Sequence, residues 1–165
     1  KWTNLVPFKF LGVFLLRISR MADYAVIATS YMAKHPEANL SASDIAEATG
    51  VPLPSISKIL KKLAKAEILQ SKRGVAGGYK LSRSPKSITI ADLISSVEGP
   101  IVMADCLDNN RGCSLESFCT VKIPWQRVSN IIEEALTELS LADIVELMDL
   151  SNPFLSSYPI QESRV

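Results

Sequence analysis

Apolar and small residues recur at helical spacing from Ile18 to Lys34, with Met21, Tyr24, Ala25, Ala28, Tyr31 and Met32 on one side and His35-Pro36 closing the run. This pattern predicts a first helix. Ser41-Ala42-Ser43-Asp44 then has the spacing of a capping box, in which a hydroxyl and a carboxylate satisfy free amides, so a short second helix is expected through Ala48. Thr49-Gly50 interrupts it. After Val51-Pro52 a third helix is expected to open near Pro54, with Ile56, Ile59, Leu60 and Leu63 inward and Ser55, Ser57, Lys58, Lys61, Lys62 and Lys65 outward. Two short runs, Ile68 to Lys72 and Tyr79 to Ser82, flank Arg73-Gly74-Val75-Ala76-Gly77-Gly78 and predict a β-hairpin. Thr89-Ile90-Ala91-Asp92 starts a further short helix that ends at Gly99-Pro100. The longest helix is expected from Pro124, with Trp125, Val128, Ile131, Ile132, Ala135, Leu136 and Leu139 along one stripe. Glu133, Glu134 and Glu138 face away from that stripe, and Ser140-Leu141-Ala142-Asp143 caps a last helix.

Two helices joined by a Gly-containing turn, the second with a basic outer face, form the helix-turn-helix pattern, and a basic hairpin directly after it reads as a wing. The expected fold is therefore mainly α with a small β-hairpin wing: a winged helix-turn-helix plus a long dimerisation helix. The expected organisation is a DNA-binding domain over residues 16–99, a cysteine loop over 100–122, a dimerisation helix with a short capping helix over 123–150, and a tail over 151–165. A long amphipathic helix beyond so small a domain has little of its own chain to cover it, which points to a homodimer.

Net charge is +1, yet residues 17–90 hold 12 Lys/Arg against 5 Asp/Glu whereas residues 91–165 hold 4 against 12. A basic half joined to an acidic half suggests a polyanion-binding module attached to something else. In helix-turn-helix geometry the amino-terminal part of the second helix meets base edges, so Ser55, Ser57 and Lys58 are the expected readers and Lys61 and Lys62 the phosphate contacts. Arg73, with Gly77 and Gly78 letting the backbone approach closely, is expected at the minor groove. A nucleotide-binding loop fits less well, because the hairpin turn lacks a Gly-Lys-Ser/Thr ending and no long helix follows it. With His35 as the only histidine, in a turn, no Ser-His-Asp or Cys-His set is available, and no enzyme activity is expected.

Leu5 to Leu16 is apolar apart from Lys9, but it is too short to span a bilayer and no small-x-small cleavage site follows it. Residues 1–15 are read as an upstream or non-native segment, with Leu16 as the expected start. The three cysteines, Cys106, Cys113 and Cys119, are separated by gaps of six and five residues in a polar, Gly-containing stretch. An odd number argues against a disulfide framework and for a reducing, cytoplasmic location. Three thiolates on one loop would repel one another unless a cation shared them, so metal ligation is expected. Structural zinc favours tighter pairs, and the wider gaps suit an iron–sulfur cluster. A cluster carrier or electron-transfer protein would share this loop, but it needs neither the basic helix face nor the wing.

The opening Leu-Arg-Ile-Ser-Arg-Met-Ala-Asp-Tyr-Ala, the helix-turn-helix, the wing Arg-Gly-Val-Ala-Gly-Gly-Tyr-Lys-Leu, the hinge Glu98-Gly99-Pro100 and the three-cysteine loop together resemble the Rrf2 family of winged-helix regulators, over about residues 16 to 150. Asp23-Tyr24 and the Glu-Gly-Pro-Ile stretch look most like its Suf-type branch. The resemblance implies a homodimeric repressor on a palindromic DNA operator, controlling iron–sulfur cluster assembly genes through a cluster held by Cys106, Cys113 and Cys119. A 2Fe-2S cluster is favoured and a 4Fe-4S cluster is the alternative. Isc-type members carry a His three residues beyond the last cysteine, where this chain has Lys122; nitric-oxide-sensing members use an Asp of the first helix, which aligns with Asp23. The resemblance thus adds Asp23 as the candidate fourth ligand, and a nitric-oxide or redox sensor as the alternative function.

Overall fold

The structure, a computed structural model, describes residues 18–74, 77–108, 113 and 119–151. Residues 1–15, the wing tip at 75–76, most of the cysteine loop and the tail from 152 therefore lie outside the described residues. The first helix, α1 (Arg20–Ala33), begins where the Ser19 hydroxyl accepts the Ala22 amide, and it buries Ala22, Ala25, Ala28, Thr29, Ser30 and Met32. α2 (Ala42–Thr49) opens on the predicted capping box, with the Asp44 amide donating to the Ser41 hydroxyl at 3.2 Å and the Ser41 amide donating to the Asp44 carboxylate at 2.8 Å. It ends one residue later than the pattern suggests, at Thr49, and is capped by Gly50, whose φ of 70° suits a residue without Cβ and directs its amide to the Ala46 carbonyl.

α3 (Leu53–Lys65) starts one residue before Pro54 and buries Ile56, Ile59, Leu60 and Leu63 completely. Next come β1 (Leu69–Lys72) and β2 (Gly78–Leu81), paired antiparallel with Leu69 opposite Leu81 and Lys72 opposite Gly78. A single bridge between Leu40 and Tyr79, with amide–carbonyl bonds of 2.8 and 3.0 Å, fastens the hairpin to the loop before α2. One residue has no period, so nothing in the hydrophobic pattern marks it. α4 (Ile90–Glu98) carries a second complete capping box, Thr89 with Asp92, and Arg83 pairs with the Asp92 carboxylate at 2.8 Å.

The last two helices differ from each other. α5 (Lys122–Glu138), which opens two residues before Pro124, leaves Trp125, Val128 and Ile131 exposed, and Ser129 is its one buried residue among those described. Only Ile132 and Leu136 of the predicted stripe turn partly inward. α6 (Leu141–Ser151) packs on α1, and its Leu141 is fully buried in the same core. The Ile90 amide reaches the Leu139 carbonyl at 2.9 Å, the Leu141 amide reaches the Ile88 carbonyl at 2.8 Å, and Lys34 pairs with Asp149. The winged-helix core is thus completed by the far end of the chain, with α5 as the excursion between. No described helix is long and apolar enough to cross a membrane.

Two outcomes follow for stability. Leu141→Ala should cost about 2–5 kcal/mol in urea unfolding, as expected of a fully buried leucine, whereas a terminal appendage would lose almost nothing. The Asp143 carboxyl is held below its ordinary range by the Ser140 hydroxyl and then the Ser140 amide. A depressed folded-state pKa gives stability that is present at neutral pH and lost as pH falls through that lowered value. Asp143→Asn should therefore lower the melting temperature at pH 7, and the gap to wild type should close as both are acidified.

Candidate nucleic-acid interface and cysteine loop

α3 lies across α1 and α2 with its apolar side committed to the core, which leaves its other side to solvent. On that side Lys58, Lys61 and Lys65 are exposed, while Ser55 and Ser57 are half-buried. Lys72 and Arg73, at the end of β1, and Lys80 on β2 are exposed as well. Among the described residues ion pairs form at Lys34–Asp149 and Arg83–Asp92, and none involves α3 or the hairpin. Lys58, Lys61 and Lys65 are thus exposed on α3, and Lys72, Arg73 and Lys80 on the hairpin that follows it, with no ion pair at any of them among the described residues. Such a surface suits a polyanion.

Lys62 is placed differently from the other lysines of α3. It is half-buried, and its ammonium donates to the Val97 carbonyl at the end of α4. The last carbonyls of a helix lack intrahelical donors and form the negative end of its dipole, which explains the attraction. Gly77 and Gly78 also have a reason within the chain. A Cβ on Gly77 would lie 2.4 Å from the Lys72 carbonyl oxygen, and one on Gly78 would lie 2.8 Å from the Leu40 carbonyl oxygen. Both glycines therefore keep the hairpin turn closed and seated on the Leu40 loop, whatever else approaches them.

Beyond Gly99 the chain runs to a 3-10 turn, Asp105–Leu107, that carries Cys106. Cys106, Cys113 and Cys119 are all half-buried and unbonded to one another. The Cys106 thiol is pushed above its ordinary value by burial, then by the negative charge of Cys119 and of Cys113, against a smaller opposing effect of its own backbone and of Lys122. The three sulfurs are thus near enough to act on one another electrostatically. No set of three ligating side chains among the described residues is gathered at metal-binding geometry, and residues 109–112 and 114–118 between them are not described. By chemistry the loop fits a thiophilic metal group, because a shared cation removes the mutual repulsion that raises Cys106.

Asp23 stands elsewhere. It is exposed in the first turn of α1 and lines a groove of about 520 Å³ with Ile18, Arg20, Val26, Ile90, Ile94 and Ile144. His35 is engaged locally, its Nδ1 2.8 Å from the Tyr31 carbonyl and its ring 4.5 Å from that of Tyr31. A residue that sequence reasoning missed is Ser129, whose hydroxyl accepts the Met103 amide at 3.0 Å and donates to the Trp125 carbonyl at 3.0 Å. A small hydroxyl inside a helix otherwise read by its apolar stripe was the available signal.

The architecture is that of a winged-helix DNA-binding regulator, with a helix-turn-helix, a two-stranded wing and an appended long helix. Residues 18–147 match the Rrf2 family of iron-dependent transcriptional regulators, and the chain belongs to that family. It is 33% identical over 138 residues to the HTH-type transcriptional regulator ORF2 of Azotobacter vinelandii, covering 83% of this chain and 84% of that one. It is 29% identical over 131 residues to the HTH-type transcriptional regulator IscR of Aliivibrio salmonicida, covering 79% and 77%. Among solved structures it is similar to T. potens IscR, with a TM-score of 0.60 at 30% identity over 87% of this chain and 93% of that one. CymR, the global cysteine regulator of B. subtilis, superposes with a TM-score of 0.60 at 27% identity over 80% and 98%.

Gly78→Ala tests the structural reading of the wing glycines. Because the clash is with backbone, relief requires the hairpin to move off Leu40, and unfolding free energy should fall by about 1–3 kcal/mol. Wild-type stability in that variant would free Gly78 from this role.

Proposed function

We propose that this chain is an iron–sulfur-responsive repressor of cluster-assembly genes of the Suf type, acting in the cytoplasm as a homodimer on a palindromic operator. The observation that carries the reading is the position of Cys106 on a 3-10 turn that leaves the end of a winged-helix core, with Cys113 and Cys119 following in the chain. Its membership of a family of iron-dependent regulators supports the same reading. Cys106, Cys113 and Cys119 would hold the cluster, with the 2Fe-2S form favoured over 4Fe-4S. When bound, the cluster supplies reversible assembly and redox chemistry that tracks cellular iron and oxidants. Asp23 is the candidate fourth ligand; the groove it lines holds no cysteine among the described residues, and it would serve the cysteine loop of the partner copy. An oxygen donor is a poor match for soft iron–sulfur chemistry, and an exchangeable site suits a sensor. The apolar exposed side of α5, with Trp125, Val128 and Ile131, supports the paired-helix dimer.

On DNA, Ser55, Ser57 and Lys58 read base edges, Lys61 meets phosphate and Arg73 enters the minor groove beside the wing. Lys61→Ala should weaken binding to operator and random duplex alike and reduce the slope of log affinity against log salt by about one, while Ser57→Ala should alter sequence preference. Each of Cys106→Ala, Cys113→Ala and Cys119→Ala should lose most of the visible chromophore of protein reconstituted without oxygen while keeping its helical content. A colourless wild type with one zinc per chain would overturn the sensor reading, and unaltered DNA binding in every α3 variant would overturn the interface.

A further inference from the structure

Residues 97–106 connect the end of α4 to the first cysteine, and side chains from three other helices hold them. At the near end the Lys62 ammonium of α3 donates to the Val97 carbonyl. The Ser19 hydroxyl, which caps α1, donates to the Glu98 carboxylate at 2.5 Å. Farther along, the Met103 amide donates to the Ser129 hydroxyl of α5 at 3.0 Å. Cys106 follows three residues later, on the 3-10 turn.

Each attachment has a physical cause. Val97 lies in the last turn of α4, where carbonyls lack helical donors and a cation is favoured. Ser129 is 2% exposed on a mostly exposed helix, and a buried hydroxyl is stable only with its hydrogen-bonding capacity used, as its bonds to Met103 and Trp125 do. Between the two anchors Gly99 sits at φ 97°, a conformation that side-chain-bearing residues rarely adopt, so the direction of the segment is set at one hinge. Lys62 also stands one turn after Lys58 and next to Lys61 on α3. It links the proposed DNA-reading helix to the segment that ends at Cys106.

We propose that Lys62 and Ser129 are positioning residues that couple the cysteine loop to the orientation of α3. This rests on the sensor reading above. Gathering three cysteines displaces the segment that Ser129 anchors, the displacement turns at Gly99, and the Val97 carbonyl carries it to Lys62 and hence to α3. Coupling of this kind requires only that the two loop states place Val97 differently, since the free energy passed on equals the differential stabilisation of those states. The proposal also reassigns Lys62, because a side chain committed to α4 is not a phosphate contact.

The test uses the full chain and Lys62→Met, which keeps the stem and removes the ammonium, beside Lys61→Met, Ser129→Ala and Lys62→Arg. On metal-free protein, fluorescence anisotropy with a random duplex over a salt series should give Lys62→Met the wild-type slope, while Lys61→Met loses about one. After anaerobic reconstitution with ferrous iron and sulfide, Lys62→Met and Ser129→Ala should match the wild-type absorption spectrum and iron content. Their ratio of loaded to metal-free affinity for the operator selected by wild type should nevertheless fall to within twofold of unity. Lys62→Arg, which retains a donor, should restore the ratio. A slope reduced by one in Lys62→Met, or a wild-type ratio different from unity that persists in both variants, overturns the coupling alone. A wild-type ratio of unity overturns the sensor reading and the coupling with it.

Discussion

The close approach of helices to α1 is the constraint on which the rest of the structure depends. Ala22, Ala25 and Ala28, each 0–1% exposed, form a face of single methyl groups, and α3, α4 and α6 all pack on this helix. Side chains at a helix contact set the distance between axes, so larger residues there would separate the recognition helix from α4. The Lys62–Val97 bond, the Ser19–Glu98 bond and the seat of α6 all require that proximity. The same packing commits one side of α3 to the core and thereby exposes the other, where Lys58, Lys61 and Lys65 stand.

Charge divides along the same lines. The basic half of the chain supplies α3 and the hairpin, where the exposed cations form no ion pair among the described residues. The acidic half supplies α5, whose Glu133, Glu134 and Glu138 are exposed and would keep that helix off a phosphate backbone. Charge segregation of this kind suits a molecule that presents α3 and the hairpin to a polyanion and keeps α5 away from it.

Much of the fold was legible because its determinants are local. The capping boxes at Ser41 and Thr89, the apolar faces of α1 and α3 and the turn chemistry between β1 and β2 act within a few residues, and the structure has them within one or two positions. Membership of the Rrf2 family was legible from motifs for the same reason. What escaped is nonlocal. Leu40 joins the wing through one bridge, α6 returns across the chain to α1, and Gly77 and Gly78 are fixed by backbone oxygens of other residues. Lys62 shows the limit most clearly: on the helix surface it is one more basic residue, and only the placement of α4 turns it inward. Ser129 is the converse case, a polar residue in an apolar stripe whose partner lies 26 positions away in sequence.

In the function proposed above, the state of the cysteine loop sets the affinity for DNA. The most direct measurement takes one anaerobically reconstituted sample, quantifies iron and sulfide per chain, and titrates the selected operator by anisotropy before and after the cluster is removed with a chelator. The account predicts bound iron and sulfide in stoichiometric amount, and an operator affinity that shifts on their removal while affinity for random duplex stays constant. Equal operator affinity in both forms, or a chain that takes up no iron, would contradict it.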